Sequence, residues 1–129
     1  MKDYLSCSQA ATELGERNDW AVRAVTMATY QDYDFVHGLF CKVGRRKGYG
    51  TSFYMTKQVL EKLGRDVVDV TKHYSARTIV SLKREITPRD NLLVRTRGHI
   101  LCVNEGEVHD WTKDRRHRIR QILRVVSKR

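Results

Sequence analysis

The chain has 129 residues, of which 40% are hydrophobic and 31% are charged. This length accommodates one domain with a hydrophobic core and is too short for two, and the composition excludes a disordered chain. The longest apolar runs are only a few residues, and the first residues lack the apolar stretch of a signal peptide. We therefore expect a cytoplasmic protein without a membrane-spanning helix.

The formal net charge is +10, because 25 basic residues outnumber 15 acidic ones. This excess favours an anionic partner, and we expect a protein or a nucleic acid rather than a membrane. Three cysteines, an odd number, indicate free thiols in a reducing compartment. His37 and Cys41 have helical spacing and could share a metal ion, but no second pair has comparable spacing. We predict no metal and no cofactor.

The first half of the chain predicts helices, because apolar residues recur at helical spacing, and Gly15, Gly44 and Gly64 end three of the four runs. Asn18 or Asp19 is predicted to cap the central helix by accepting hydrogen bonds from its first free amides. The predicted helices end near residue 15 and then cover residues 20–29, 33–43 and 52–63.

The second half predicts mainly strands, with one short helix over residues 77–86 before Pro88, the only proline. The turn residues Asn104-Glu105-Gly106 indicate a hairpin, since Asn and Gly tolerate positive φ. The predicted strands cover residues 66–70, 91–96, 99–103, 108–111 and 116–126. Helices followed by antiparallel strands predict an α+β fold in a single domain, residues 1–129.

The hairpin also suggests a chemical site. His99 begins one of its strands and Asp110 lies near the end of the other, so the carboxylate could orient the imidazole, as in sites with a nucleophile, a base and an orienting group. The alternative is a structural hydrogen bond within the sheet. A catalytic role would also require a nucleophile.

Three stretches together resemble papain-like cysteine peptidases, and more narrowly the small bacterial and phage proteins similar to bacteriocin-processing peptidase domains. They are Arg17-Asn18-Asp19-Trp20-Ala21-Val22-Arg23-Ala24, the basic glycine-rich loop over residues 44–51, and Gly98-His99 with Val108-His109-Asp110. The resemblance covers roughly residues 16–125. It implies N-terminal helices packed on a C-terminal antiparallel sheet, with a nucleophilic cysteine opening the central helix.

Trp20 occupies the position at which the resemblance implies that cysteine. An indole has one N–H donor and no nucleophilic atom, so His99 and Asp110 would be a vestigial dyad, with Asn18 as a polar residue of the cleft. The resemblance then implies an inactive pseudoenzyme that binds a partner, and kinship with phage proteins suggests inhibition of a host factor. Trp20 either fills the old cleft as a core aromatic or offers a surface on which a ligand stacks.

Two other functions remain open from the sequence. A cysteine hydrolase could use Cys7 or Cys41 if the fold brings one of them to His99, whereas Cys102 is predicted to point away from His99 and to be buried. A nucleic-acid-binding module could use a basic face of the last strand, where basic and apolar residues alternate. The predicted contacts are Arg116, Arg118, Arg120 and Arg124, joined by Arg45, Arg46 and Lys47.

Overall fold

The fold is described by a computed structural model covering residues 19–46, 48–109 and 118–128. Four helices and five strands follow one another in these ranges, with a 3-10 helix at Thr71–His73. The helices are α1 (Trp20–Thr29), α2 (Tyr33–Lys42), α3 (Phe53–Lys62) and α4 (Ile79–Leu82). The strands are β1 (Arg65–Asp69), β2 (Asn91–Thr96), β3 (His99–Asn104), β4 (Glu107–His109) and β5 (Ile119–Ser127).

The five strands form one antiparallel sheet in the order β1-β5-β2-β3-β4. A two-residue turn joins β2 to β3, so that Thr96 pairs with His99. Gly98 has a φ of +68° in this turn, a conformation that glycine adopts without steric cost. The turn therefore fixes His99 at the very start of β3.

One face of the sheet is covered by α1, α2 and α3. The small residues Ala21, Ala24 and Ala28 are buried along α1, which allows this helix to lie close against the sheet. The sheet residues of this core are Leu93, Ile100, Cys102, Leu123 and Val125. The helices that the sequence predicts therefore pack on the sheet, and the α+β class is confirmed.

The other face is covered by the segment between β1 and β2. Ile79 and Leu82 of α4 and Val70 pack there against a second group of sheet residues, which are Leu92, Val94, Leu101, Val103 and Ile122. Apolar cover on both faces explains why β2 and β3 read as nearly continuous apolar runs rather than alternating ones. No helix in the described ranges is long and apolar enough to cross a membrane.

One local prediction is wrong. The fourth helix is only Ile79–Leu82 and not residues 77–86, because the Thr78–Ser81 capping box begins it and turns follow Leu82. The predicted hairpin joins β3 to β4, with positive φ at Glu105 and Gly106 rather than at Asn104, which ends β3 with its side chain buried. Asp19 holds the N-cap position of α1 but caps no amide with its side chain, and Asn18, the other predicted cap, lies outside the described residues. The helix predicted before residue 15 lies outside the described residues.

Candidate functional site

The start of α1 and the start of β3 meet at one corner of the domain. Trp20 is the first residue of α1, and its ring lies 5.6 Å from that of His99, centroid to centroid, at an interplanar angle of 65°. This is an edge-to-face arrangement, which the quadrupoles of aromatic rings favour. His99 is only 7% exposed. Two of the residues that the sequence selects are therefore neighbours, although they are far apart along the chain.

Asp19, just before Trp20, is held away from the helix amides by two other donors. Tyr33 Oη donates to its carboxylate at 2.7 Å and Arg23 Nε at 3.0 Å, and Asp19 is 1% exposed. Arg23 also balances the charge of this buried carboxylate. The opening of α1 is thus fixed by side chains of α1 and α2. Asn18 and Asp110 lie outside the described residues, so their proposed roles stay predictions.

A cavity of about 290 Å³ opens beside the two rings. Its walls come from α1, α3, the end of β2 and the start of β3. The residues that line it are Trp20, Ala21, Gly50, Thr51, Phe53, Thr56, Arg95, Thr96, Gly98, His99 and Ile100. Neither of the cysteines that the structure describes is among them. The indole therefore forms part of the wall of a cleft and does not fill it.

The described thiols are located elsewhere. Cys102 is fully buried in the core under α1, which confirms the prediction that it behaves as a small hydrophobic residue. Cys41 is exposed on α2, where its Sγ lies 3.8 Å from Nδ1 of His37 one turn earlier. No group of three or more metal-binding side chains occurs in the described ranges. Cys7 lies outside them.

A second cavity, of about 710 Å³, adjoins the first and is strongly basic. Both cavities are lined by Arg95, Thr96 and Gly98, so they adjoin at these residues, and we call the two together the joined groove. The other residues of its basic part are Asp69, Thr71, Lys72, His73, Arg120 and Gln121. Apart from Arg120, these residues carry no pattern in the sequence that brings them together, because they come from three separate segments.

Arg95 lies at the junction and is held on two sides. Its guanidinium carbon is 4.1 Å from the centroid of the Phe53 ring, and Nη1 donates to Oε1 of Gln121 at 2.8 Å. Gln121 in turn donates through Nε2 to Asp69 at 2.9 Å. A charged residue next to the end of a buried apolar strand is the one sequence signal that could have identified Arg95.

The Asp69 carboxylate is an acceptor within the same network. The hydrogen bond from Gln121 and then those from the hydroxyl and amide of Thr71 hold the pKa of Asp69 down at about 2. These bonds stabilise the charged form of the carboxyl group. Thr71 Oγ1 also accepts from the amide of Ile122 at 2.9 Å, which ties the network to β5. The floor of the basic part is therefore fixed by hydrogen bonds.

The arginines of β5 do not form one face, so that prediction is wrong. In an uninterrupted strand Ile119 would share a face with Leu123. Ile119 instead packs in the core cluster that contains Ile122, because the pairing of β5 with β2 shifts by one residue opposite Arg95 and Thr96.

The same irregularity separates the arginines. Arg120 lines the joined groove, while Arg124 lies beside Tyr74 on the other side of the sheet. Arg118 is exposed before the irregularity. Arg45 is only 4% exposed, which contradicts its predicted role in phosphate contact, whereas Arg46 is exposed. Lys47 and Arg116 lie outside the described residues.

Comparison with protein-family models, with curated proteins and with solved structures finds no match for this chain. The likeness to papain-like peptidases therefore stays a resemblance based on sequence motifs. The inferences below depend on the geometry and charge of the chain's own residues.

Proposed function

We propose that this protein is an inactive relative of papain-like cysteine peptidases that binds a partner through the cleft at Trp20. The observation that supports it most is the edge-to-face contact between Trp20, at the first position of α1, and the ring of His99. A nucleophile of that fold would gain its reactivity at the same position from the helix N-terminus and the imidazole. Trp20 supplies neither a thiol nor a hydroxyl group.

The remaining cleft supports a role in binding. Its lining combines the rings of Trp20 and Phe53 with the apolar side chain of Ile100 and the cation of Arg95. Concave surfaces that combine aromatic side chains with a few fixed polar groups are typical of binding sites. Kinship with phage proteins, suggested by the motifs alone, favours a host factor as the partner.

The first test measures catalysis. The purified protein is incubated with acyl substrates that report peptidase, deamidase and deubiquitinating activity, and with a thiol-directed substrate mimic. We expect no turnover above the uncatalysed rate. Turnover that disappears in Cys41→Ala or Cys7→Ala would overturn the proposal and favour a cysteine hydrolase. The position of Cys41 on α2, outside the cleft that His99 lines, argues against that alternative.

The second test measures partner capture. Nuclease-treated host lysate is passed over the immobilised protein at low and physiological salt, and a protein partner is expected to remain bound at both. Trp20→Ala should weaken capture, whereas Phe35→Ala should not, because Phe35 is 54% exposed on α2 and is not among the residues lining the cleft. Equal capture by both variants and the unchanged protein would contradict a role for the cleft.

A second candidate function is nucleic-acid binding, which is favoured by the net charge of +10 and by the exposed Arg118 and Arg120. Reversal of both to Glu should abolish such binding, and affinity should fall roughly tenfold or more between low and physiological salt if several phosphates are contacted. Arg124→Glu is the matched control, since Arg124 lies on the other side of the sheet. Unchanged affinity in the double reversal would exclude this strand as the contact.

A further inference from the structure

We propose that the joined groove binds a nucleotide, with the phosphate in its basic part and the base in its aromatic part. The two cavities meet at Arg95, Thr96 and Gly98, so one ligand can occupy both. This inference deepens the proposed function, because it depends on the cleft being a binding site. It does not depend on the loss of a nucleophile at position 20.

The charge of the basic part matches a terminal phosphate. Lys72, Arg95 and Arg120 contribute three positive charges and Asp69 contributes one negative charge, which leaves an excess of two. A phosphomonoester carries a charge of roughly −1.5 to −2 at neutral pH. A single carboxylate of an acidic peptide would leave about half of the excess unbalanced. The dianion is therefore the better complement.

Arg95 is prepared for phosphate recognition by the contacts that hold it. The Phe53 ring and Gln121 fix the plane of its guanidinium, and Gln121 is its one hydrogen-bond acceptor among the residues that the structure describes. The other N–H groups of the fork can therefore serve an anion in the groove. A planar guanidinium binds two phosphate oxygens at once, which a lysine does not. Little conformational freedom is lost on binding, since the side chain is already ordered.

The register shift in β5 places a second arginine, Arg120, in the lining of the groove. Such irregularities in a sheet change the direction of a side chain and are frequent beside binding sites. Here the shift lies opposite Arg95 and Thr96, and Arg120, between the paired residues Ile119 and Gln121, lines the groove. Two arginines on adjacent strands, together with Lys72 after β1, thus surround one space. A regular strand would not bring them together in this way.

The aromatic part suits a base. Its volume of about 290 Å³ lies at the lower end of the range for small-ligand sites, about 300–1,000 Å³. Trp20 and Phe53 both line it, and stacking on aromatic rings accepts any base because each has a π-face. Arg95 belongs to both parts, so the phosphate and the base need not be far apart.

Titration calorimetry with the full chain tests the proposal. The probes are adenosine monophosphate, adenosine, inorganic phosphate, and a short oligothymidylate with and without a 5′-phosphate. We expect the mononucleotide or the phosphorylated strand to bind at least tenfold more tightly than adenosine or phosphate alone. Preference for the mononucleotide identifies a free nucleotide as the ligand, and preference for the phosphorylated strand identifies a strand terminus. An oligoglutamate peptide serves as a competing anion without phosphate. Equal binding of all probes, or tighter binding of this peptide, would overturn the proposal.

Two variants and one control locate the site. Arg95→Gln and Arg120→Gln should each weaken binding tenfold or more, because each removes a charged donor to the phosphate. Arg89→Gln removes the same charge from the turn before β2 and should leave affinity unchanged, since Arg89 does not line the groove. Circular dichroism verifies the fold of each variant. Because Arg120 is exposed, its variant stays informative even if Arg95→Gln unfolds.

Arg95→Lys keeps the positive charge at this position and removes the planar guanidinium. Its affinity should stay below that of the unchanged protein, because lysine lacks the planar fork. An equal loss of affinity in Arg89→Gln would overturn the proposed site, because it would show that only net charge matters. Turnover of an acyl substrate would contradict the proposal that catalysis is lost, and it would not affect the calorimetric result. The two proposals therefore fail in different assays.

Discussion

Replacing Trp20 with cysteine tests whether the start of α1 still forms the environment of an activated thiol. An unperturbed cysteine has a pKa of about 8.5. The N-terminus of a helix stabilises an anion by about 0.3–1 kcal/mol, which corresponds to a lowering of the pKa by roughly 0.5. Because Trp20 is the first residue of a ten-residue helix, a thiolate at this position gains that interaction.

A positive charge on the His99 ring, which thiol activation by an imidazole requires, would supply the larger contribution. The 5.6 Å between the rings of Trp20 and His99 serves as the separation of thiolate and imidazolium. At an effective dielectric constant of about 20, two unit charges at that distance interact by about 3 kcal/mol, or roughly 2 pKa units. The nearby carboxylate of Asp19 opposes this little, because Arg23 pairs with it. We therefore expect a thiol pKa of about 6 in Trp20→Cys.

The assay is the pH dependence of alkylation by iodoacetamide. Cys41→Ser removes an exposed thiol and Cys7→Ser removes a thiol outside the described residues, while Cys102 is fully buried. The same variant with His99→Gln should have a thiol pKa of about 8, because only the helix contribution remains. A pKa that stays near 8 in the presence of His99, or that does not change on its removal, would refute the inferred geometry.

Three further predictions concern stability. Asn104→Ala should lower the free energy of unfolding by about 2–4 kcal/mol, because the buried Asn104 side chain makes two hydrogen bonds. Asn91→Ala should lower it by only about 1 kcal/mol, because the partly buried Asn91 side chain makes one. Urea denaturation compares the two variants, and the reverse order would contradict this reasoning. Burial lowers the pKa of His109 in the folded protein. The neutral imidazole therefore contributes fully to stability above about pH 6.5, and this contribution is lost as the pH falls through the lowered pKa of the folded state. His109→Gln should flatten the pH profile of the melting temperature below about pH 6.5. Tyr33→Phe should cost about 1.5–3 kcal/mol, because it removes a donor to the buried carboxylate of Asp19, and a thermal shift within error of zero would contradict it.

The local pattern of the sequence predicts much of the fold. The apolar spacing predicts the observed bounds of α1, Trp20–Thr29, which ends at Tyr30 in the left-handed conformation. The strand predicted over residues 91–96 is β2, because a run of buried aliphatic residues lies between turn residues. These elements depend on interactions within a few residues, which is the information that spacing contains. The end of α4 at Leu82 was not predictable in this way, because Ile86 continues the apolar spacing although turns follow Leu82.

The site was predictable only where a residue type has a known chemical role. His99 and Trp20 were identified from motifs, and the fold makes them neighbours. The basic part of the joined groove was not predictable, since Arg95 meets Phe53 and Gln121 only after three separate elements have packed. The face that each arginine of β5 occupies depends on the pairing with β2, and a shift of one residue reverses it.

The order of the strands also affects when the protein can fold during its synthesis. β5 is the last strand in the described part of the chain, yet it lies between β1 and β2 and pairs with both. While the ribosome is still adding β5, the emerged chain exposes apolar residues of β2 that have no partner strand on that side. The sheet therefore cannot form in full until β5 is available, and stalling before residue 119 should leave a protease-sensitive intermediate.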